Sequence, residues 1–286
     1  LQDHYILAWQ KVLERFKSNP FVIGYDLMNE PWGGDIVKVY LTGDFERVQL
    51  AAFYERVIPA LRTVEPNKYL FFEPTPSPVT SGSPSNLGKV NGTNLVYAPH
   101  CYPYDTHEGA GYTAKARKQF KDWERERIKE AKMHGNIPIM CGEFGLSPNQ
   151  EGFADHLNDF NTAFDRNQWH WTYWSNDKGG WSPLNEDRTE TAILPFLVRT
   201  YPKATAGRIT NFSFDPASKI FNMTFKSMSS IGKPSEIFVP RRYYPSGYNL
   251  TVSGTTNYSQ EYDEATQVLK FSTPENTEIS IEITPK

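Results

Sequence analysis

Residues 22–31 read Val22-Ile23-Gly24-Tyr25-Asp26-Leu27-Met28-Asn29-Glu30-Pro31. The first six follow the breaker Ser18-Asn19-Pro20 and form a short apolar run, the pattern of a buried strand. A polar group with a carboxylate comes directly after it. Residues 137–145 repeat the arrangement, with Ile137-Pro138-Ile139-Met140-Cys141 leading into Gly142-Glu143-Phe144-Gly145. Three more apolar runs behave alike. Tyr69-Leu70-Phe71-Phe72 ends in Glu73-Pro74, Leu95-Val96-Tyr97-Ala98 leads to His100-Cys101-Tyr102, and His170-Trp171-Thr172-Tyr173-Trp174 leads to Ser175-Asn176-Asp177.

Helical spacing fills the intervals. Residues 4–17 carry apolar positions at Ile6, Leu7, Trp9, Val12, Leu13 and Phe16. A second helix is expected over 44–64 with Asp44 as its cap, a charged one over 112–133, another over 149–166 and a last one near 190–200. Strand and helix alternate five times, and the strands are continuous apolar runs, so they are parallel and buried on both faces. Polar residues at the carboxyl ends of successive parallel strands are where a (β/α)8 barrel builds its site. A doubly wound open sheet would carry a Gly-rich phosphate turn, and none follows any strand.

From residue 208 the texture changes to short alternating segments at 209–214, 220–225, 236–239, 248–252, 268–271 and 278–283, separated by turn residues. That is the pattern of a β-sandwich. The expected division is a barrel portion over 1–205 and a sandwich over 206–286, with Tyr201-Pro202-Lys203 to Gly207 as the hinge.

Composition excludes several classes. Thirty Lys and Arg nearly balance thirty-three Asp and Glu in 286 residues, with no block of like charge. A nucleic-acid partner and a polybasic membrane anchor are therefore not expected. No apolar run reaches the ~18 residues of a spanning helix. Two cysteines make neither a disulfide framework nor a four-thiolate zinc site. Strand parity puts Cys141 on the face of Glu143 and Cys101 opposite His100 and Tyr102, so both are read as buried thiols. His100, His107 and Asp105 fit no common zinc spacing, and no metal is expected. Seven Trp and sixteen Tyr give flat rings suited to sugar faces.

Two glutamates at separate strand ends are what glycoside hydrolysis requires: one protonated to assist the leaving oxygen, one ionised to attack. The alternative is an ion-paired structural role for both. Asn29-Glu30-Pro31, His100-Cys101-Tyr102, Gly142-Glu143-Phe144-Gly145 and Trp171-Thr172-Tyr173-Trp174-Ser175 together resemble glycoside hydrolase family 5, a group of retaining (β/α)8-barrel enzymes. Within it, residues 24–34, Phe71-Phe72-Glu73-Pro74, Tyr97-Ala98-Pro99-His100-Cys101-Tyr102 and the appended sandwich look most like the endoglycoceramidases. The resemblance implies roles. Glu30 is the general acid and then base, and Glu143 the nucleophile. Asn29 bonds the sugar 2-hydroxyl, Tyr102 tunes Glu143, His100 positions the acid or the substrate, and Trp174 forms the sugar platform. Trp32 and Trp181 line an apolar path for the lipid or else cover the barrel rim. Glu73 reads as a strand end and stays outside the catalytic set.

The expected function is hydrolysis, with retention, of the β-glycosidic bond between oligosaccharide and ceramide in glycosphingolipids, with water as acceptor and no metal or organic cofactor. Another family 5 β-glycosidase (on steryl or simple glucosides, or an endoglucanase) is the nearest alternative. A catalytically silent glycan- or lipid-binding protein is the alternative from another class. Transient contact with a membrane surface is compatible with a lipid substrate.

Only five barrel strands are countable, so strands four to eight are expected here and the first three are missing from the sequence. Leu1 is not Met and no signal peptide opens the chain; the expectation is a processed chain or one part of the working protein. An N-terminal segment, separate or joined, would supply on the order of 150 residues by the size of a typical barrel. Asn-x-Ser/Thr sequons at Asn91, Asn211, Asn222, Asn249 and Asn257 point to a secreted or lysosomal glycoprotein.

Overall fold

The computed structural model describes residues 1–286. The chain divides into two compact units, 1–153 with 169–175, and 154–168 with 176–286.

The first unit opens with helix α1 (Gln2–Phe16) and strand β1 (Gly24–Asp26). Helix α2 (Ala51–Arg62) follows, preceded by widened helical turns over Phe45–Leu50. Asp44 does not cap this segment. Its backbone is already helical, and its carboxylate pairs with Arg47 at 2.9 Å. Strands β2 (Tyr69–Phe72) and β3 (Leu95–Tyr97) come next, then the single turn α3 (Tyr104–His107) and the long α4 (Ala114–Met133). Thr113 does cap α4, its hydroxyl accepting from the Ala116 N–H at 3.1 Å. Strands β4 (Met140–Phe144) and β5 (His170–Tyr173) complete this unit, while helix α5 (Phe153–Asn167), between them in the chain, belongs almost wholly to the second.

The strands pair in parallel and in chain order. β1, β2 and β3 form one sheet, Tyr97 bridges to Ile139 just before β4, and β4 pairs with β5. Side chains alternate across this array. Leu70, Phe72, Leu95 and Tyr97 pack under the helices with Leu13, Val57, Ile58 and Leu61. Phe71, Val96 and Ala98 form a separate apolar layer on the opposite face. Gly24 permits the close approach of β1 to β2, since a Cβ there would lie 2.4 Å from the Tyr69 carbonyl oxygen. β1 and β5 each pair along one edge only.

In the second unit the helix expected near 190–200 shrinks to one turn, α6 (Leu194–Leu197), because turns occupy most of 176–192. The expected hinge is corrected as well. Tyr201–Ala204 is strand β6, antiparallel to Ser235–Phe238. The remaining strands are β7 (Gly207–Asp215), β8 (Ile220–Ser227), β9 (Ser235–Phe238), β10 (Tyr248–Ser253), β11 (Ser259–Asp263), β12 (Val268–Ser272) and β13 (Glu278–Pro285). They make two antiparallel sheets, ordered β10-β13-β8-β7 and β11-β12-β9-β6. Phe221, Met223, Phe225, Ile237, Leu269, Phe271, Ile279, Ile281 and Ile283 fill the core. β6 and β11 escape sequence pattern because their residues are mostly exposed, so no apolar alternation marks them.

Arg199 and Asp165 form a buried bidentate ion pair in this unit, with side chains 6% and 9% exposed. Replacing Arg199 by Met leaves a buried carboxylate without its cation. The expected loss is about 3–5 kcal/mol, measured as a fall in the urea midpoint at pH 7.

Candidate active site

The polar strand ends meet on one side of the first unit. Glu30 lies four residues beyond the end of β1, His100 and Tyr102 follow β3, and Glu143 lies within β4. His100 is buried and stands at the centre. Its Nδ1 is 2.9 Å from Glu30 Oε1 and 3.4 Å from Glu143 Oε2. Carboxylate oxygens of Glu30 and Glu143 and the imidazole nitrogen all lie within 4.8 Å of one another. The Tyr102 hydroxyl donates to Glu143 Oε2 at 2.9 Å.

The backbone supports this placement. The Cys101 N–H donates to the Glu143 carbonyl at 2.8 Å, binding the end of β3 to β4. The Trp123 indole N–H from α4 donates to the His100 carbonyl at 2.9 Å. Gly142 leaves room for the imidazole, because a Cβ there would lie 2.9 Å from His100 Cδ2. Tyr102 is tied to the 75–89 loop, its N–H donating to the Thr80 carbonyl at 2.9 Å. That loop is anchored in turn by Glu46, which accepts from the Thr75 N–H at 3.0 Å and the Ser85 hydroxyl at 2.7 Å.

The electrostatics follow from burial and crowding. Burial works against charge on His100. Its hydrogen bond to Glu30 and the close approach and charge of Glu73, with the charge of Glu143, outweigh that cost and push its pKa up to about 10. The imidazolium form therefore prevails at neutral pH. Burial also raises the Glu143 carboxyl above its ordinary range, against the pull of His100 and the Tyr102 hydrogen bond. Burial and the Glu143 charge push the Tyr102 phenol up, so it stays a neutral donor.

Asn29 is exposed, and Trp174 is about half-exposed at the end of β5, its N–H donating to the Phe144 carbonyl. Trp32 is also half-exposed and meets Tyr40 edge-on, with ring centroids 5.8 Å apart. Trp181 belongs to the second unit and is partly buried there. The His107 ring lies against Tyr102, centroids 5.9 Å apart, and Asp105 pairs with Lys115, so the loose His100, His107 and Asp105 grouping is not one cluster. Cys101 and Cys141 are buried free thiols.

One residue set aside on sequence grounds belongs to the site. Glu73 is buried, accepts the Glu30 N–H at 3.0 Å and approaches His100 Nε2 at 3.4 Å. Parity was the available signal. Glu73 follows Phe71 by two, as His100 follows Ala98 by two, and Phe71 and Ala98 share the inner layer.

Two family descriptions match this chain. Residues 2–180 match the cellulase model of glycosyl hydrolase family 5, and residues 199–284 match the glycoside hydrolase family 5 C-terminal domain. The chain belongs to glycosyl hydrolase family 5. The family architecture is a TIM barrel followed by a sandwich domain, and the parallel strands and antiparallel sheets described above are its parts.

Among family 5 relatives, an endoglycoceramidase of Hydra vulgaris is 25% identical over 271 residues, covering 88% of this chain and 49% of that protein. Endoglycoceramidase I of Rhodococcus hoagii (strain 103S) is 28% identical over 274 residues, covering 88% and 52%. A solved structure of endo-glycoceramidase II from Rhodococcus sp., in complex with ganglioside GM3, has a TM-score of 0.89 at 30% identity, covering 100% of this chain and 64% of that one. The chain thus spans about half the length of the curated relatives it matches.

Because of its burial, the Glu143 carboxyl should titrate above the ordinary glutamate range. Tyr102 stabilises the ionised form. Tyr102→Phe should therefore move the Glu143 titration to higher pH, read from carbon-13 NMR of the labelled carboxyl.

Proposed function

We propose that this chain carries the catalytic pair of a retaining glycoside hydrolase that cleaves the β-glycosidic bond between oligosaccharide and ceramide in glycosphingolipids. The observation that carries the reading is the closeness of the Glu30 and Glu143 carboxylates, with oxygens within 4.8 Å. Retaining enzymes hold their two carboxyl groups about 5–5.5 Å apart, whereas inverting ones leave about 6.5–9.5 Å for a water.

In the proposed reaction Glu143 attacks the anomeric carbon while Glu30 gives its proton to the leaving oxygen of the ceramide. A glycosyl ester on Glu143 results. Glu30, now ionised, takes a proton from water, the water oxygen attacks the anomeric carbon, and the Glu143 carboxylate is released. Two inversions leave the β configuration unchanged. Asn29 is open to bond the 2-hydroxyl, and Trp174 offers a ring face to the sugar. These roles use protein groups and water only.

Two observations favour a lipid leaving group. The relatives named above are endoglycoceramidases, one of them solved with a ganglioside. The segment following Glu30 also leaves Trp32, Ile36, Val37, Tyr40 and Leu41 exposed, with Leu41 at 78%. An apolar strip of this kind beside a reactive carboxylate suits an acyl chain or a lipid surface.

We further propose that three more strands complete the barrel. The free edges of β1 and β5, and the exposure of Phe21 and Ile23 beside β1, support this reading. Soluble proteins do not leave long apolar edges unpaired. Residues 1–286 alone should bind a hydrophobic dye strongly and turn over no substrate; a closed, active monomer would count against the reading. Passage through a secretory or lysosomal compartment is proposed from the five sequons, whose asparagines are all exposed. A mass shift of the native protein on enzymatic deglycosylation tests it.

The deciding experiment incubates the full-length protein with lactosylceramide or a ganglioside in mild detergent. Mass spectrometry should find intact ceramide and intact oligosaccharide together. Glu143→Gln should lower turnover by roughly 10⁴-fold. Leu41→Ser should raise KM for the lipid by about 10-fold and leave a soluble aryl β-lactoside unaffected. Cleavage of simple glucosides without the lipid would overturn the ceramide assignment alone.

A further inference from the structure

Glu73 is 2% exposed, and a carboxylate buried to that degree is costly without compensation. Its charged partner is an imidazole. Oε2 accepts the main-chain N–H of Glu30 at 3.0 Å, and Oε1 lies 3.4 Å from His100 Nε2. The residue is itself gripped from α2, where the buried Tyr54 hydroxyl donates to the Glu73 carbonyl at 2.7 Å and accepts its N–H at 3.2 Å.

Both groups that Glu73 touches require an outside restraint. Glu30 has φ of 45°, in the left-handed region, which is unfavourable for a non-glycine residue and persists only where the surroundings over-determine it. His100 presents both ring nitrogens to carboxylates, Nδ1 to Glu30 and Nε2 to Glu73. A neutral imidazole carries one N–H, so one of those contacts would set a lone pair against a carboxylate oxygen. With Glu30 and Glu73 both ionised, the ring is favourable only with both nitrogens protonated, and Nδ1–H then points at Glu30.

We propose that Glu73 is a positioning residue of the glycosidase site: one carboxylate oxygen fixes the left-handed backbone of the acid Glu30, and the other fixes the orientation and charge of the His100 that Glu30 shares with Glu143. The proposal rests on the glycosidase reading above and deepens it. Glu73 touches no reacting atom; it acts through Glu30 and His100. The groups facing the imidazole and its carboxylates from the surrounding elements are Asp26 on β1, Glu30 after it, Tyr54 on α2, Tyr102 after β3, and Cys141 and Glu143 on β4. Tyr54, Tyr102 and Cys141 are all pushed up by burial and stay neutral. The charge balance around His100 is therefore set by carboxylates alone.

Glu73→Gln in the full-length protein tests this. The amide oxygen can still accept from the Glu30 N–H, while the charge facing Nε2 is gone. With an aryl β-glycoside, kcat should fall by about 10- to 100-fold while KM stays within about 2-fold. Nitrogen-15 NMR of the imidazole should show both His100 nitrogens protonated in the wild type at pH 8, and loss of a proton at lower pH in Glu73→Gln. Glu73→Asp, which keeps the charge, should hold His100 protonated. A folded Glu73→Gln with wild-type kcat would overturn the proposal, as would a singly protonated His100 in the wild type at pH 8. The wild-type spectrum decides even where the variant does not fold. An inactive wild type strikes the glycosidase reading itself, whereas an active wild type with an indifferent Glu73→Gln strikes this proposal only.

Discussion

Three carboxylates, Glu30, Glu73 and Glu143, surround one buried imidazole, and that arrangement is the constraint on which the rest of the first unit depends. Any two of these carboxylates ionised together repel strongly in a medium that screens poorly. The imidazolium of His100 is the cation that holds them together. Its position is set by groups with no part in the chemistry: Trp123 on its carbonyl, and the bare α-carbon of Gly142 against its ring. A small displacement of β3 against β4 would separate the carboxylates from their common cation.

The parallel array makes this placement possible. Each strand contributes one or two groups from its carboxyl end, and strand pairing fixes their spacing more tightly than a loop could. Strand alternation then divides the labour. One parity supplies the apolar layer under the helices, and the other supplies Phe71, Val96 and Ala98, continued at the strand ends by Glu73 and His100. The 75–89 loop, free of regular structure apart from one turn, is held by the buried carboxylate of Glu46 and so keeps Tyr102 in reach of Glu143.

Much of this was legible in the chain itself. The five apolar runs became the five parallel strands, and Glu30, His100, Tyr102 and Glu143 converge. Errors arose where local pattern and tertiary context disagree. Tyr201–Ala204 reads as a hinge because it contains a proline and exposed residues, yet it pairs along the edge of a sheet, where proline is tolerated. Asp44 has the composition of a helix cap, but helical backbone already surrounds it, and Arg47 takes its carboxylate. Apolar spacing near 190–200 suggests a long helix where turns leave one short one.

Glu73 marks the boundary between the two kinds of information most clearly. Sequence alone determined which residues lie in strands, which parity faces inward and where carboxylates occur, because these follow from short-range periodicity and from the chemistry of each side chain. It did not determine which carboxylate binds which partner. The contact of Glu73 with the Glu30 N–H joins residues 43 apart in the chain, and the contact of His100 with Glu30 joins residues 70 apart. Such contacts exist only once neighbouring strands are in register. Only the tertiary structure decided that a residue shaped like a strand terminator stands under Glu30 and the imidazole, because a hydrogen bond depends on distance and direction in space.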